Sequence, residues 1–485
     1  MKISLRRVFR YSLLALAILF VLWVLAITAV YFLVDADDIK KLAVSAVNEN
    51  TKGELSIGEI KLKVFPLVHF EIKDLLMKSS EAFKRKEVFS CESSKLSFNV
   101  LTLIFGKPKI TLVLRKPTLN VLSDGKKTNL DDLFEPSKKS SSPDFLTYLF
   151  VSKMYFDIRS AYLSYTAPAD KFNINGLDLS LEVEPVSRRL ILVMKSPIDY
   201  KKGTTLVNGN INLNANVKMR SQESTEVSVL LDANGLNIET ESFKKSRGDV
   251  LKVELLGDTD IKDKINIKAL DIYLIDKLFS GSGVIKAFLS DSPELDLKAK
   301  IGPYDVKNFA KLSSLAKDLG VSGLLKSDLS IKGVLPLKEP RKQSSNLNIS
   351  LEFDGSELVV NSKSFKKQQN VYLGLLLKAS ASAASVNISE LSGGIGKIKF
   401  KALGSVNGLD KKYPSYNLNL DLPKFMLSSL AEFFPALSKH PVSGELYLKL
   451  KTAGAVDPLP VISAEAGFSD TKNKNDLKLN INSFR

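Results

Sequence analysis

The chain carries little of what most enzymes use. Its 485 residues include one cysteine, two histidines and one tryptophan. Cys91 alone cannot close an internal disulfide, which excludes a disulfide-stapled fold. With His69 and His440 as the only imidazoles, a zinc cluster and histidine-centred catalysis lack their material. Nucleotide motifs are missing too. Gly281-Ser-Gly283 lacks the third glycine of a dinucleotide fingerprint, and Gly396-Lys397 is followed by Ile398 where a phosphate loop needs Ser or Thr. Both read as strand and turn glycines. The paired carboxylates Asp37-Asp38 and Asp131-Asp132 read as helix starts or loops. Cys91 reads as a small buried hydrophobe, His69 as a surface or edge side chain and His440 as a turn residue. The expectation is a non-enzyme without metal or cofactor.

What is present begins with one long apolar run. Residues 11–34, YSLLALAILFVLWVLAITAVYFLV, contain no charge. As a helix the run would measure about 36 Å, enough for a hydrocarbon core of about 30 Å. Lys2, Arg6, Arg7 and Arg10 precede it and Asp35, Asp37 and Asp38 follow. The positive-inside rule then keeps residues 1–10 cytoplasmic and sends the rest across the membrane. Tyr11, Trp23, Tyr31 and Phe32 are its anchoring aromatics. A cleaved signal peptide would have an apolar core of about 7–15 residues, so a retained signal anchor is expected.

Removing that segment leaves 65 Lys+Arg against 53 Asp+Glu in residues 35–485. The basic residues alternate with apolar ones, as in Lys397-Ile-Lys-Phe-Lys401. They do not form arginine-rich runs with stacking aromatics, so nucleic acid is not expected. A solvated outer face accounts for the charge, with attraction to anionic membrane surfaces as its functional counterpart.

Strict alternation dominates the body. Ile211, Leu213, Ala215, Val217 and Met219 alternate with Asn210, Asn212, Asn214, Asn216 and Lys218. Leu179 and Leu181 belong to a second such stretch, Leu347, Ile349 and Leu351 to a third, and Leu446, Leu448 and Leu450 to a fourth. Ile398 and Phe400 add a shorter one. Period two places each set on one face of a strand, giving antiparallel sheet with one wet and one dry face. Helical spacing appears at 37–49, 144–155, 305–319 and 424–438. Residues 295–323 and 416–444 repeat a strand, a proline, a Leu-Ser-Ser-Leu-Ala helix and Val-Ser-Gly, at an offset of 121. Repetition of this kind favours an extended body.

Together these features resemble the AsmA family of bacterial envelope proteins. The resemblance is carried by the anchor followed by Asp38-Ile-Lys-Lys-Leu42. It continues through Thr51-Lys-Gly-Glu-Leu-Ser-Ile-Gly-Glu-Ile60, Leu62-Lys-Val-Phe-Pro-Leu67 and Asp74-Leu-Leu76. At the other end it is carried by 416–444 and the following 445–454. These are loose strand and turn patterns rather than catalytic signatures, and larger members carry more repeats. The resemblance implies a mainly β fold: an elongated antiparallel sheet curled into an apolar groove, with a few amphipathic helices and one N-terminal transmembrane helix. It also implies an inner-membrane, single-pass protein with a periplasmic body. Such a protein would carry phospholipid towards the outer membrane, with outer-membrane or periplasmic envelope proteins as further partners.

The expected organisation is a cytoplasmic tail (1–10), an anchor (11–34) and an N-terminal β region (35–135). A Ser/Lys-rich linker (136–143), a central region (144–294) and a repeat-containing C-terminal region (295–485) follow. The expected lipid-facing set is Leu179, Leu181, Ile211, Leu213, Val217, Leu347, Ile349, Leu351, Ile398, Phe400, Leu446, Leu448 and Leu450. Alternation alone leaves a second reading open, a closed β-sandwich acting as envelope scaffold or outer-membrane protein assembly factor. The residues by themselves favour the sandwich; the resemblance favours the groove.

Overall fold

Alternating Leu, Ile and Val against Lys, Asn and Ser turns into strand almost everywhere it occurs. In a computed structural model, the described residues are 36–63, 68–98, 109–133, 153–168, 171–221, 224–260, 263–335, 346–382, 384–438, 443–455, 461–470 and 475–484. The linker at 136–143, His440, and the run 11–34 with Arg6, Arg7 and Arg10 before it lie outside them. Among the described residues no helix is long and apolar enough to cross a membrane. The fold is mainly β, antiparallel, with few helices. The chain divides into two units, Met1–Met219 and Arg220–Arg485.

The first unit opens with helix α1 (Ala36–Asn50), whose first turn carries Asp37 and Asp38 as a helix dipole favours. Strands β1 (Glu54–Lys63), β2 (His69–Lys78) and β3 (Glu87–Phe98) follow as a meander. Beside β3 lie β4 (Lys109–Arg115) and β5 (Thr118–Leu122), two pieces of one interior strand line interrupted at Lys116-Pro117. A proline cannot donate to the ladder, which explains the break. Helix α2 (Asn129–Leu133) packs next, and β6 (Lys153–Thr166) then joins β4 and β5 in parallel. Strands β7 (Lys171–Glu184), β8 (Arg189–Lys202) and β9 (Thr205–Met219) complete an antiparallel series. The helix expected at 144–155 is corrected here: Lys153 and Met154 start β6, and 144–152 lie outside the described residues. Short apolar runs read equally well as either element.

The second unit is a long meander. Its strands are β10 (Thr225–Asp232), β11 (Leu236–Glu239), β12 (Lys244–Lys245), β13 (Leu251–Thr259), β14 (Lys264–Leu274), β15 (Asp276–Lys286) and β16 (Glu294–Asp305). Helices α3 (Val306–Leu312) and α4 (Ser314–Asp318) follow, then β17 (Val321–Ser322), β18 (Leu324–Val334), β19 (Asn346–Asp354), β20 (Val359–Asn361) and β21 (Lys366–Lys367). The last group is β22 (Leu373–Ala381), β23 (Ser385–Ile395), β24 (Ile398–Asn407), β25 (Ser415–Met426), helices α5 (Ser428–Ala431) and α6 (Pro435–Ser438), β26 (Glu445–Ala455), β27 (Val461–Asp470) and β28 (Asn475–Phe484). The helix expected at 424–438 is thus two single turns, and 424–426 belong to β25.

The repeat is longer than the sequence reading suggested. Strands β10 to β16, the helices and β18 recur as β19 to β25, the helices and β26, about 122 residues later. Both copies lose register at the same place, between Ile301 and Tyr304 and between Leu422 and Phe425. Pro303 and Pro423, which cannot donate a ladder hydrogen bond, sit in those gaps.

Each copy sends a small hairpin off the end of the main sheet: β11 with β12, and β20 with β21. Each hairpin ends in the same words, Ser242-Phe-Lys-Lys245 and Ser364-Phe-Lys-Lys367. The second lysine of each is fully buried, Lys245 at 0% and Lys367 at 1% exposure. Lys245 Nζ donates to the carbonyls of Asn234, Leu236 and Ser246 at 3.3, 2.8 and 3.2 Å. Lys367 Nζ donates to those of Ser356, Leu358 and Gln368 at 2.8, 2.6 and 3.2 Å. Burial lowers the pKa of both ammonium groups, and the carbonyl dipoles supply the compensating partners.

The preceding phenylalanine meets the helical segment of its own copy. Phe243 bridges Ser313, and Phe365 lies 6.3 and 5.5 Å from the rings of Phe433 and Phe434. Strand β17 pairs with β20, joining the first copy's helices to the second hairpin. The buried apolar residues of this unit, Ala233, Leu236, Tyr304, Leu312, Leu358, Phe425 and Phe433, all sit in or beside this rim.

Candidate functional site

The registers bring the alternating residues into continuous rows. Starting on β10, directly paired residues run Val229, Leu255, Leu270, Gly281, Ala299, Leu329, Leu351, Leu377, Leu391, Ala402, Leu420, Leu450 and Ala464. That is thirteen strands without a polar side chain. At about 4.8 Å per strand the row is about 58 Å long. Two residues along most strands, and three along β14 and β23 where the register shifts, a second row runs through Ile267, Gly283, Leu297, Ile331, Ile349, Ala379 and Ile388.

The first unit has its own rows. Leu62, Phe70, Leu96, Leu112, Phe156, Leu181, Leu192 and Ala215 are paired in sequence, as are Leu114, Ile158, Leu179, Met194 and Leu213.

All thirteen lipid-facing candidates lie on such strands. Leu179, Leu181, Ile211, Leu213 and Val217 fall on β7 and β9, with Leu190, Leu192 and Met194 of β8 between them. Ile211, opposite Ser196, marks the end of the apolar stretch there. Leu347, Ile349 and Leu351 share β19, Ile398 and Phe400 share β24, and Leu446, Leu448 and Leu450 share β26. The strands between those pairs, β22, β23 and β25, contribute residues the sequence reading left out, such as Leu377, Leu391 and Leu420. Tyr11, Trp23, Tyr31 and Phe32 lie outside the described residues.

Burial distinguishes the long row of the second unit from a core. Every member of the long row is half-buried and none is fully covered. All thirteen candidates are half-buried as well. Interiors of folded domains bury such residues almost completely and pack them at crystal density. Among the described residues of the second unit, the fully covered large apolar side chains belong to the hairpin and helix rim instead.

Part of the face is recessed. Around Gly281 and Ala299 there is an apolar pit of about 190 Å³, walled by Ile267, Leu270, Phe279, Leu297, Leu329 and Ile331.

The opposite face is charged and paired across strands. Lys300 faces Asp328 at 3.5 Å, Lys332 faces Asp296 at 3.2 Å and Lys378 faces Glu390 at 3.0 Å, each directly opposite in register. Lys378 holds the Glu390 carboxyl below its usual range. In the first unit Lys153 bonds Glu182 and Glu184, and Glu184, also bonded by Ser187, is lowered to about 2. The pairs of Lys300, Lys332 and Lys378 are exposed and those of Lys153 half-buried; the exposed ones mark the wet face and fix register more than they stabilise.

Among the described residues, the chemistry-bearing side chains gather into no site. Cys91 is buried, its thiol pKa pushed up by burial. His69 corrects the expectation of a surface side chain: it is 5% exposed, between buried Val68 and Phe70, so both faces of the sheet are covered at that point. Its Nε2 lies 3.4 Å from Glu71. Asp132 is 3% exposed, bonded by Ser80 and, at 2.6 Å, by Lys127, which together hold its carboxyl below the usual range. Among the described residues no group of three His, Cys, Asp or Glu could hold a metal.

Compared with known proteins, residues 5–242 match the sequence profile of the AsmA family. No curated protein matches the chain.

Proposed function

The chain belongs to the AsmA family, and from that premise and the open apolar rows we propose that it is a lipid-transfer protein. It holds the acyl chains of phospholipid against the dry face of its sheets while headgroups stay in water. The observation that carries this is the row from Val229 to Ala464, apolar on every strand and half-buried on every strand. An acyl chain laid on such a surface gains about 25 cal/mol for each Å² removed from water. The charged opposite face keeps the other side of the sheet wet.

The rest of the reading extends from this. The sheets curl into a groove, the run 11–34 anchors the chain once in the inner membrane, and the body stands in the periplasm. Lipid moves along the rows towards the outer membrane and supports its integrity, with envelope proteins receiving or delivering the load. No bond is made or broken, so no cofactor or metal takes part. A closed sandwich scaffold would require these rows to be sealed, and their exposure counts against it.

The test is mass spectrometry of lipid extracted from the purified chain after detergent exchange. Phospholipid at a stoichiometry near or above one per chain is expected. A chain that carries none, while a control membrane protein purified alongside does, would overturn the proposal.

A further inference from the structure

The two copies of the repeat are not equivalent at the pit. Gly281 and Ala299 face each other in register on β15 and β16. Their counterparts in the second copy, 121 residues on, are Ala402 and Leu420. The second copy therefore carries an isobutyl side chain where the first has a methyl, and a methyl where the first has none. Most of the surrounding wall is shared: Ile267, Leu270, Phe279, Leu297 and Leu329 correspond to Ile388, Leu391, Phe400, Leu418 and Leu450, while Ile331 corresponds to Thr452 and the Phe400 ring lies against Gly393 where the Phe279 ring lies against Gly281. The floor is smaller in the first copy at both positions, and Ala299 in place of a leucine is the larger of the two differences. Gly281 leaves no spare room beneath the ring beside it, since a Cβ there would meet Phe279 Cε1 at 3.1 Å.

We propose that this pit is a seat for the methyl end of one fatty-acyl chain, making the first copy a holding point and the second a smooth stretch. The proposal rests on the reading of the face as an acyl-chain surface. The occupant follows from the chemistry of the walls. The side chains that line the pit are aliphatic or aromatic, while Ser282 and Lys298 contribute backbone and alternate to the wet face. The volume of about 190 Å³ is somewhat larger than the engineered apolar cavities of about 150 Å³ that take up benzene. A headgroup would be left without partners there, whereas a hydrocarbon end loses nothing. The pit opens onto the rows on either side, so the remainder of the chain can lie along them.

The experiment uses the full-length chain left in membranes of the cells that make it. The probe is palmitic acid carrying a diazirine near its methyl end, activated by light, with labelled peptides located by mass spectrometry. The second copy is the internal control. Labelling at Leu270, Leu297 and Leu329 should exceed that at Leu391, Leu418 and Leu450 by about tenfold. Ala299→Leu, which imports the second copy's own residue, should bring the two copies level. Leu420→Ala should raise labelling in the second copy. Equal labelling of both copies in the parent overturns the seat and leaves the transfer reading intact. Absence of label from both copies overturns the transfer reading itself. Should Ala299→Leu fail to fold, the comparison within the unmodified chain still decides the matter.

Discussion

At the scale of single residues, the two faces of one strand should respond differently to the same kind of change. Leu213 lies opposite Met194 on the dry face, and Asn212 points to the other face. Leu213→Asp places an unpaired charge among Leu179, Met194 and Leu213's neighbours. The variant is expected to fold, shown by circular dichroism, and to lose most of its bound lipid; Asn212→Asp should lose none. An unfolded Leu213→Asp chain, with no lipid on the parent, would favour the scaffold. A second prediction concerns the buried lysines. Lys367→Met keeps the stem but strips three carbonyls of their donor, and should cost about 2–3 kcal/mol in denaturant unfolding. An unchanged midpoint would mean that water replaces the ammonium. A third concerns Asp132, whose carboxyl is held below its usual range by Lys127 and Ser80. A carboxylate lowered in the folded state stabilises above its unfolded pKa of about 3.9 and loses that contribution as pH falls through the folded value. Asp132→Asn should therefore speed hydrogen exchange around α2 at pH 7. The gap between variant and parent should close well below pH 4; a pH-independent gap would contradict the assignment.

At the scale of elements, strands were legible and the rim was not. Period-two alternation located the dry face because Leu347, Ile349 and Leu351 leave no other way to hide three large side chains. Helix α1 was legible from Ile39, Leu42, Ala43, Ala46 and Val47 at helical spacing. Helical spacing misled at 424–438, where Phe425 and Phe433 are apolar because they plug the rim, not because one long helix presents them. The hairpins β11–β12 and β20–β21 escaped notice because their key residue is a lysine. A reading that sorts residues into wet and dry assigns Lys245 and Lys367 to water. Only the repeated Ser-Phe-Lys-Lys words, 122 residues apart, could have found them. The dry rows themselves were only half legible: alternation names each strand's apolar residues, but register and burial depend on which strand lies beside which. The rim carries its own prediction. Phe365→Ala removes the ring that meets Phe433 and Phe434 and should cost about 3 kcal/mol, measured as lost exchange protection in β20 and β21. Protection unchanged in both strands would show that the rim is held by its backbone pairs alone.

At the scale of the whole molecule, the central claim is that each sheet shows lipid one face and water the other. It is tested most directly in living cells by a photoreactive benzoylphenylalanine placed at four adjacent positions. Leu351 and Leu377 are paired in the long row, and Glu352 and Lys378 follow them on the charged face. After irradiation, phospholipid adducts identified by mass are expected at 351 and 377 and absent at 352 and 378. Adducts of equal yield at all four positions, or at none, would contradict the account.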